Sequence, residues 1–180
     1  MKTIMKYLAP PTAAAIACLA IAAQPASAAT VTGNGTVTAN VQAACNLVST
    51  PTVPFGTVSS VGPLAADIPA TGTITVACSN GASYTVYIGD GANRVGVGTG
   101  LRQMANGAGR LAYQLYKEVA HTNIWDATGG TAAIGGAGGV NGTGSGANQT
   151  LTVFGLIPAG TVVPSVTGAY TDSVVVTVTY

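Results

Sequence analysis

The chain has 180 residues, of which 48% are hydrophobic and only 6% are charged, and its formal net charge is +1. Nucleic-acid affinity requires several phosphates to be neutralised by Lys and Arg side chains, and this chain has only six such residues, of which the four beyond residue 28 are confined to one stretch, from Arg94 to Lys117. The composition therefore excludes nucleic acid as a partner, and the abundance of Val and Thr favours β-sheet over disorder.

The first 28 residues have the pattern of a secretory signal peptide. Lys2 and Lys6 precede an apolar stretch from Leu8 to Ala23, and Ala26-Ser27-Ala28 fits the small-x-small cleavage rule. A transmembrane anchor and a lipoprotein attached at Cys18 are the alternatives. The shortness of the apolar stretch disfavours the first, and the apolar residues that follow Cys18 disfavour the second. We predict export with removal of residues 1–28.

Removal of this leader changes the charge of the chain. Of the six cations, two lie in the leader, so four remain against five anions and the net charge becomes −1. The remaining 152 residues (180 − 28) fit one domain that is large enough to bury a core. The mature cations are Arg94, Arg102, Arg110 and Lys117, and the anions are Asp67, Asp90, Glu118, Asp126 and Asp172.

The mature chain begins with an uninterrupted alternation of apolar or small and polar residues from Thr30 to Val41. A period of two predicts a half-buried β-strand. No charged residue occurs between Ala29 and Ala66, although exposed sheet edges are normally protected by charges, prolines or bulges. We therefore expect this strand either to be paired within its own sheet or to pair with another molecule.

Two cysteines remain after processing, Cys45 and Cys78. An even number in an exported chain predicts one disulfide, for which only one pairing exists. Closing this loop would stabilise the fold by about 4 kcal/mol in the chain-entropy model. The alternative, a reduced metal-binding or redox pair, lacks both a CxxC spacing and nearby histidines.

Further strands are predicted where alternation recurs between turn residues rich in Gly and Pro. Thr73 to Cys78 and Tyr84 to Ile88 alternate, Leu151 and Val153 lead into a third segment ending at Pro158, and the chain closes on a fourth. In the last segment one face carries Val174, Val176, Val178 and Tyr180. Short strands without a clear helix predict an all-β sandwich or barrel.

The segment from Leu111 to Ala120 is ambiguous. Leu111, Leu115 and Val119 are spaced as a helical stripe, whereas Leu111, Tyr113 and Leu115 are spaced as one face of a strand. The all-β surroundings and Gly109 favour the strand.

Nine glycines and no charges lie between Gly129 and Asn148. This composition predicts one long flexible hairpin loop. A phosphate-binding loop is the alternative, but the stretch has neither the Gly-x-Gly-x-x-Gly nor the Walker spacing.

Residues suited to catalysis are scarce. His121 is the only histidine and lies beside a predicted turn, where we expect a solvated side chain. No Gly-x-Ser-x-Gly nucleophile motif occurs, and one histidine with a disulfide leaves too few ligands for zinc. Asp90, Asp126 and Asp172 lie near strand ends, where turn capping explains them best. We predict no enzyme activity, no metal and no cofactor.

Four segments carry a resemblance to a known family. The last thirteen residues, Gly168 to Tyr180, resemble the C-terminal signature of the spore coat protein U domain family, which includes subunits of archaic chaperone–usher pili. Leu111 to Tyr116, Thr122 to Asp126 and Leu151 to Ala159 agree with it, as does the placement of the two cysteines. Phe154 departs from the family's more usual Tyr.

The resemblance implies an incomplete immunoglobulin-like sandwich that lacks its final strand. Residues 1–28 would be the signal peptide, 29–38 a donor-strand segment and 39–180 the pilin domain. The donor segment of one subunit would fill the apolar groove of the next by β-strand addition. Each such contact is head to tail, so it would propagate a fibre of like or unlike subunits.

The resemblance also implies roles for individual residues. In the donor strand, Val31 and Val37 would enter pockets, while Gly33 and Gly35 would allow close approach. The groove edge and the contact with a periplasmic chaperone would be formed by Val174, Val176, Val178 and Tyr180.

The leading hypothesis is therefore a structural pilin. It would be exported to the periplasm, bound by a chaperone, and assembled through an outer-membrane usher into a surface fibre for adhesion and biofilm formation. The alternative from another class is a secreted or surface-attached sandwich that binds carbohydrate, with Tyr84, Tyr87, Trp125 and the glycine-rich stretch as its ligand surface. A secreted hydrolase is a third possibility, supported only by the scattered acids.

Overall fold

The computed structural model describes residues 27–59, 61–94, 102–127 and 133–180. The predicted signal peptide lies outside this range except for its last two residues, and residues 129–132 of the glycine-rich stretch also lie outside it. Among the residues described, no helix has the length and apolar character needed to span a membrane. The chain divides into two units after Ala39.

The second unit, residues 40–180, is built from strands. They are β1 (Cys45–Ser49), β2 (Ile68–Cys78), β3 (Ser83–Ile88), β4 (Arg102–Asn106), β5 (Gly109–Tyr116), β6 (Val140–Thr143), β7 (Asn148–Ile157) and β8 (Val176–Thr179).

These strands form two antiparallel sheets. The larger sheet has the order β1-β2-β7-β5-β4, and the smaller has the order β6-β3-β8. The longest ladder joins β2 to β7, from the pair Ile68 and Ile157 to the pair Ala77 and Asn148. Of the all-β sandwich or barrel predicted from the alternation, the sandwich is confirmed.

The core lies between the inner faces of the two sheets. In the larger sheet Ile74, Val76 and Val153 are fully buried, and in the smaller sheet Val86 and Ile88 are fully buried. These residues occupy every second position of their strands, as the period of two requires. Trp125 is fully buried in this core, and its indole N–H donates to the main-chain oxygen of Val86 at 2.8 Å.

The predicted disulfide is present between Cys45 and Cys78. The two residues are directly paired in the ladder between β1 and β2. Both half-cystines pack on the core, so the bond fastens an edge strand to its sheet.

Three sequence predictions need correction. The Thr30–Val41 segment is not paired within its own sheet, since it forms no strand in the described chain and Val31 and Val37 are 94% and 97% exposed. Its pairing with another molecule stays a prediction. Alternation provides a suitable face, but a strand also needs a neighbour for its ladder. The strand predicted from Leu111 to Ala120 is confirmed only as far as Tyr116, because Glu118 accepts hydrogen bonds from residues 121–123 and closes a turn.

The third correction concerns the glycine-rich stretch. Val140–Thr143 form strand β6, which pairs with β3, so the stretch is not one flexible hairpin loop. A Cβ atom on Gly142 would lie 2.4 Å from the ring of Tyr84, and one on Gly144 would lie 2.2 Å from the carbonyl oxygen of Ser79. These glycines therefore allow close packing of chain segments.

Candidate functional site

Among the strands that the structure describes, the C-terminal strand β8 is an edge strand with one side paired. It pairs with β3, and just before it the amide of Gly89 donates to the oxygen of Val175 at 2.7 Å. Main-chain groups alternate in direction along an antiparallel strand. The N–H and C=O groups of Val174, Val176 and Val178 therefore point away from β3, towards the open edge.

A groove whose lining side chains are mainly apolar adjoins the start of this edge, at Val174. It consists of two adjacent cavities of about 320 and 670 Å³. Residues 51–59 form one side, called here the proline rim, and residues 163–174 form the other, called here the C-terminal rim. The floor is formed by Met104, Leu111, Tyr113 and Leu115.

Both cavities share four lining side chains, which are Val53, Phe55, Met104 and Tyr170. These side chains mark the boundary between the two parts of the groove. Asp172 is the one charged residue among the described residues that line it. A ligand that fits here is therefore expected to be largely uncharged on the face that it buries.

The proline rim contains no strand, although its side chains alternate. Pro51, Val53 and Phe55 are half-buried while Thr52 and Pro54 are exposed. The two prolines have no N–H to donate to a ladder. The rim instead packs on the inner face of the larger sheet, where Gly72 of β2 and Gly155 of β7 leave room for it.

Substitution of Gly72 by Ala is expected to displace the proline rim. A Cβ atom at this position would lie 2.6 Å from the main-chain oxygen of Thr52 and 2.8 Å from Val53 Cγ2. Overpacking of this kind costs about 1–3 kcal/mol, which urea denaturation would measure. The control is Gly81→Ala: its added Cβ meets no atom within 4 Å, and its cost comes only from the positive φ of 80°. An unchanged free energy of unfolding for Gly72→Ala would contradict the packing.

The C-terminal rim is attached to the larger sheet at Thr171. This residue exchanges two main-chain hydrogen bonds with Ala105 of β4, at 2.8 and 3.1 Å. The next residue, Asp172, accepts a hydrogen bond from the Tyr113 hydroxyl at 2.7 Å. Burial, followed by this contact with Asp172, raises the pKa of Tyr113 well above its ordinary value, so the phenol keeps its proton.

The structure places the predicted groove-edge residues unequally. Val174 lines the groove, and Val176 and Val178 are half-buried against the core. Tyr180 lies beyond the end of β8 and is 53% exposed. Their roles towards a partner remain predictions, as do those of Val31, Gly33, Gly35 and Val37 in the donor strand.

Two of the predicted turn-capping aspartates have partners near the end of β3. Asp90 forms an ion pair with Arg94, and Asp172 caps the loop after β3. Within the described ranges, no three His, Cys, Asp or Glu side chains are placed to hold a metal ion. His121 lies in a turn, as expected, but its ring packs edge-on against Tyr116.

Two features of the site were missed in the sequence. The proline rim had a signal, since Pro51, Val53 and Phe55 alternate with polar or turn residues. The contact between Tyr113 and Asp172 had none, because 59 residues separate them.

Comparison with known proteins places this architecture in a family. The profile of the Spore Coat Protein U domain matches residues 31–177. The chain belongs to the Spore Coat Protein U domain family. Among its family relatives is Protein U of Myxococcus xanthus, which is 36% identical over 171 residues, covering 89% of this chain and 90% of that protein. The immunoglobulin-like fold and the disulfide agree with this membership.

A solved structure shares the fold of this Spore Coat Protein U domain. It is the pre-assembly complex of the chaperone CsuC and the tip adhesion subunit CsuE, from the archaic chaperone–usher Csu pili of Acinetobacter baumannii. The TM-score is 0.50 at 20% identity, and the match covers 78% of this chain. This chain spans only 40% of the matched chain, and at this identity the likeness concerns the fold.

Proposed function

We propose that this protein is a structural subunit of a chaperone–usher surface fibre that assembles by exchange of strands between subunits. The N-terminal segment of one copy occupies the groove of the next. The observation that carries this proposal is an apolar groove beside an open strand edge, in a chain whose uncharged, alternating N-terminal segment is fully exposed.

The groove and the segment are chemically complementary. A strand laid along the open edge forms a ladder with the main chain of Val174, Val176 and Val178, and each such hydrogen bond contributes about 0.5–1.5 kcal/mol. Its inward face carries Val31, Gly33, Gly35 and Val37, of which each valine contributes about 1.5–3 kcal/mol on burial. Its outward face carries Thr and Asn, which remain hydrated.

The contact joins two different surfaces, so it extends a fibre and does not close a dimer. A subunit with an unoccupied groove exposes apolar surface and a free edge, which are aggregation hazards. A periplasmic chaperone covers the groove until assembly and so prevents this aggregation. An outer-membrane usher then delivers the subunit to the cell surface. Membership of the Spore Coat Protein U domain family and the fold shared with a chaperone-bound pilus subunit support these partners.

Hydrogen exchange of the mature protein with a peptide of residues 30–41 tests the proposal. In the free protein the amides of Val176 and Val178 are expected to exchange rapidly, whereas those of Thr177 and Thr179, which face β3, are protected. Addition of the peptide is expected to slow exchange at Val176 and Val178 by about 100-fold or more.

The control is the same peptide with Val31 and Val37 replaced by Asn, which keeps the backbone but lacks the apolar face. It is expected to give no protection. If the unaltered peptide leaves both valine amides unprotected, the groove does not accept this segment and the proposal is wrong.

A further inference from the structure

The C-terminal rim changes sheets at Asp172. Thr171 is bonded to Ala105 in the larger sheet, whereas Ser173 and Val175 accept bonds from Ala92 and Gly89 beside the smaller sheet. The chain crosses between the two sheets within these few residues. The position of Asp172 therefore determines where the open edge of β8 begins.

The carboxylate of Asp172 is unusually well bonded for a partly exposed group. Its Oδ1 accepts from the amides of Ala92 at 3.0 Å, Asn93 at 3.2 Å and Ser173 at 2.9 Å, and from Asn93 Nδ2 at 3.0 Å. Its Oδ2 accepts from the Tyr113 hydroxyl at 2.7 Å. Hydrogen bonds to an ionised acceptor are about twice as strong as neutral ones.

The loop after β3 is shaped to receive this carboxylate. Gly91 has a φ of 88°, and a Cβ atom there would lie 2.1 Å from Asp172 Oδ2. Only glycine provides both the left-handed backbone and the space.

Tyr113 connects this carboxylate to the opposite side of the groove. Its hydroxyl bonds to Asp172 in the C-terminal rim, and its ring packs edge-on against Phe55 in the proline rim, with 5.9 Å between ring centroids. The tyrosine lies in the groove floor. One side chain therefore contacts both rims.

We propose that Asp172 and Tyr113 are positioning residues that set the width of the groove and thereby control the fit of the incoming strand. This inference rests on the proposed function. With both rims fixed to Tyr113, the groove is pre-organised, and a strand binds without first having to order the C-terminal rim. Loss of the link is expected to weaken strand binding more than it weakens the fold.

The test compares five variants of the mature protein: Asp172→Ala, Asp172→Asn, Tyr113→Phe, the double variant Asp172→Ala with Tyr113→Phe, and the control Asp67→Ala. Asp67 also accepts a loop amide, that of Ala159 at 2.7 Å, but it does not line the groove. Fluorescence anisotropy gives the Kd of a labelled 30–41 peptide, and urea denaturation shows that each variant is folded under the binding conditions.

Asp172→Ala is expected to raise the Kd by about tenfold or more, and Tyr113→Phe to raise it in the same direction by less. Asp172→Asn is expected to recover part of the affinity, since its amide oxygen still accepts from the loop. The double variant Asp172→Ala with Tyr113→Phe is expected to be no weaker than Asp172→Ala alone, because both remove the same link. Asp67→Ala is expected to leave the Kd unchanged.

Equal Kd values for the wild-type, Tyr113→Phe and Asp172→Ala proteins would overturn the positioning role while leaving the proposed function intact. Absence of binding by the wild-type protein would instead overturn the proposed function. If Asp172→Ala does not fold, Tyr113→Phe decides, since it removes one oxygen atom and keeps the ring contact with Phe55.

Discussion

Replacement of Val31 and Val37 together by asparagine is expected to abolish fibre assembly and to leave the sandwich folded. Both side chains are almost fully exposed in the free chain, so their removal does not reduce the free energy of unfolding. In the proposed fibre each substitution would remove about 1.5–3 kcal/mol of free energy gained by burying a valine side chain. The side-chain amide of each new asparagine would also lose its hydration. The combined effect exceeds three orders of magnitude in affinity. Unheated SDS gels and electron microscopy of cells that also express a chaperone and an usher provide the measurement.

The matched control places the same change on the other face of the segment. Thr32 and Thr36 alternate with the valines, so their replacement by asparagine alters residues that would face solvent in the fibre. This variant is expected to form fibres normally. Normal fibres from the valine variant would contradict the donor role, and failure of both variants would show that the loss does not depend on the apolar face.

The strands that could be predicted are those whose signal is local. Ile74, Val76 and Cys78 alternate with exposed or half-buried residues, and all three are buried on one face of β2. Alternation reports the preference of one segment for a half-buried surface. It therefore identified β2, β3, β7 and β8 without reference to their neighbours.

The start of β2 could not be predicted from the sequence, because it contains Pro69 and Gly72, which are residue types typical of turns. The alternation predicted a strand from Thr73, whereas β2 begins at Ile68 and includes Pro69 and Gly72. Gly72 is small because the proline rim passes within van der Waals contact of it. The same explanation holds for Gly142 and Gly144, which suggested a flexible loop but are required for close packing.

The groove could be predicted only as an implication of family resemblance. Its floor comes from β4 and β5 and its rims from segments more than 100 residues apart, and no periodicity relates them. The open edge of β8 is likewise a property of strand order, since the Val174 to Val178 segment has the same alternation whether one side or two are paired.

Replacement of Arg102 by methionine is expected to lower the free energy of unfolding by about 3–5 kcal/mol. Arg102 is fully buried in the core, and burial lowers its pKa from the ordinary arginine value. Its guanidinium donates to the main-chain oxygens of Gly89 at 3.0 Å, Ile88 at 3.0 Å and Trp125 at 2.8 Å, and to the side chain of Gln114. The guanidinium thus joins β4 to the end of β3 and to the segment that carries the central tryptophan.

The methionine side chain is similar in length to that of Arg102 but has no hydrogen-bond donor. The substitution therefore removes the hydrogen bonds of Arg102 while keeping much of its packing. Replacing a buried ion by an apolar residue is often harmless when its partners are also replaced, but here three acceptors are main-chain carbonyls that no substitution removes. Arg110→Met on β5 is the control, because Arg110 is exposed and its guanidinium bonds only to the nearby main-chain oxygens of Gly107 and Gly109. Its loss is expected to change stability by less than about 0.5 kcal/mol. Urea denaturation measures both. A loss below about 1 kcal/mol for Arg102→Met would mean that water satisfies the carbonyls, and that the junction of the two sheets does not depend on this cation.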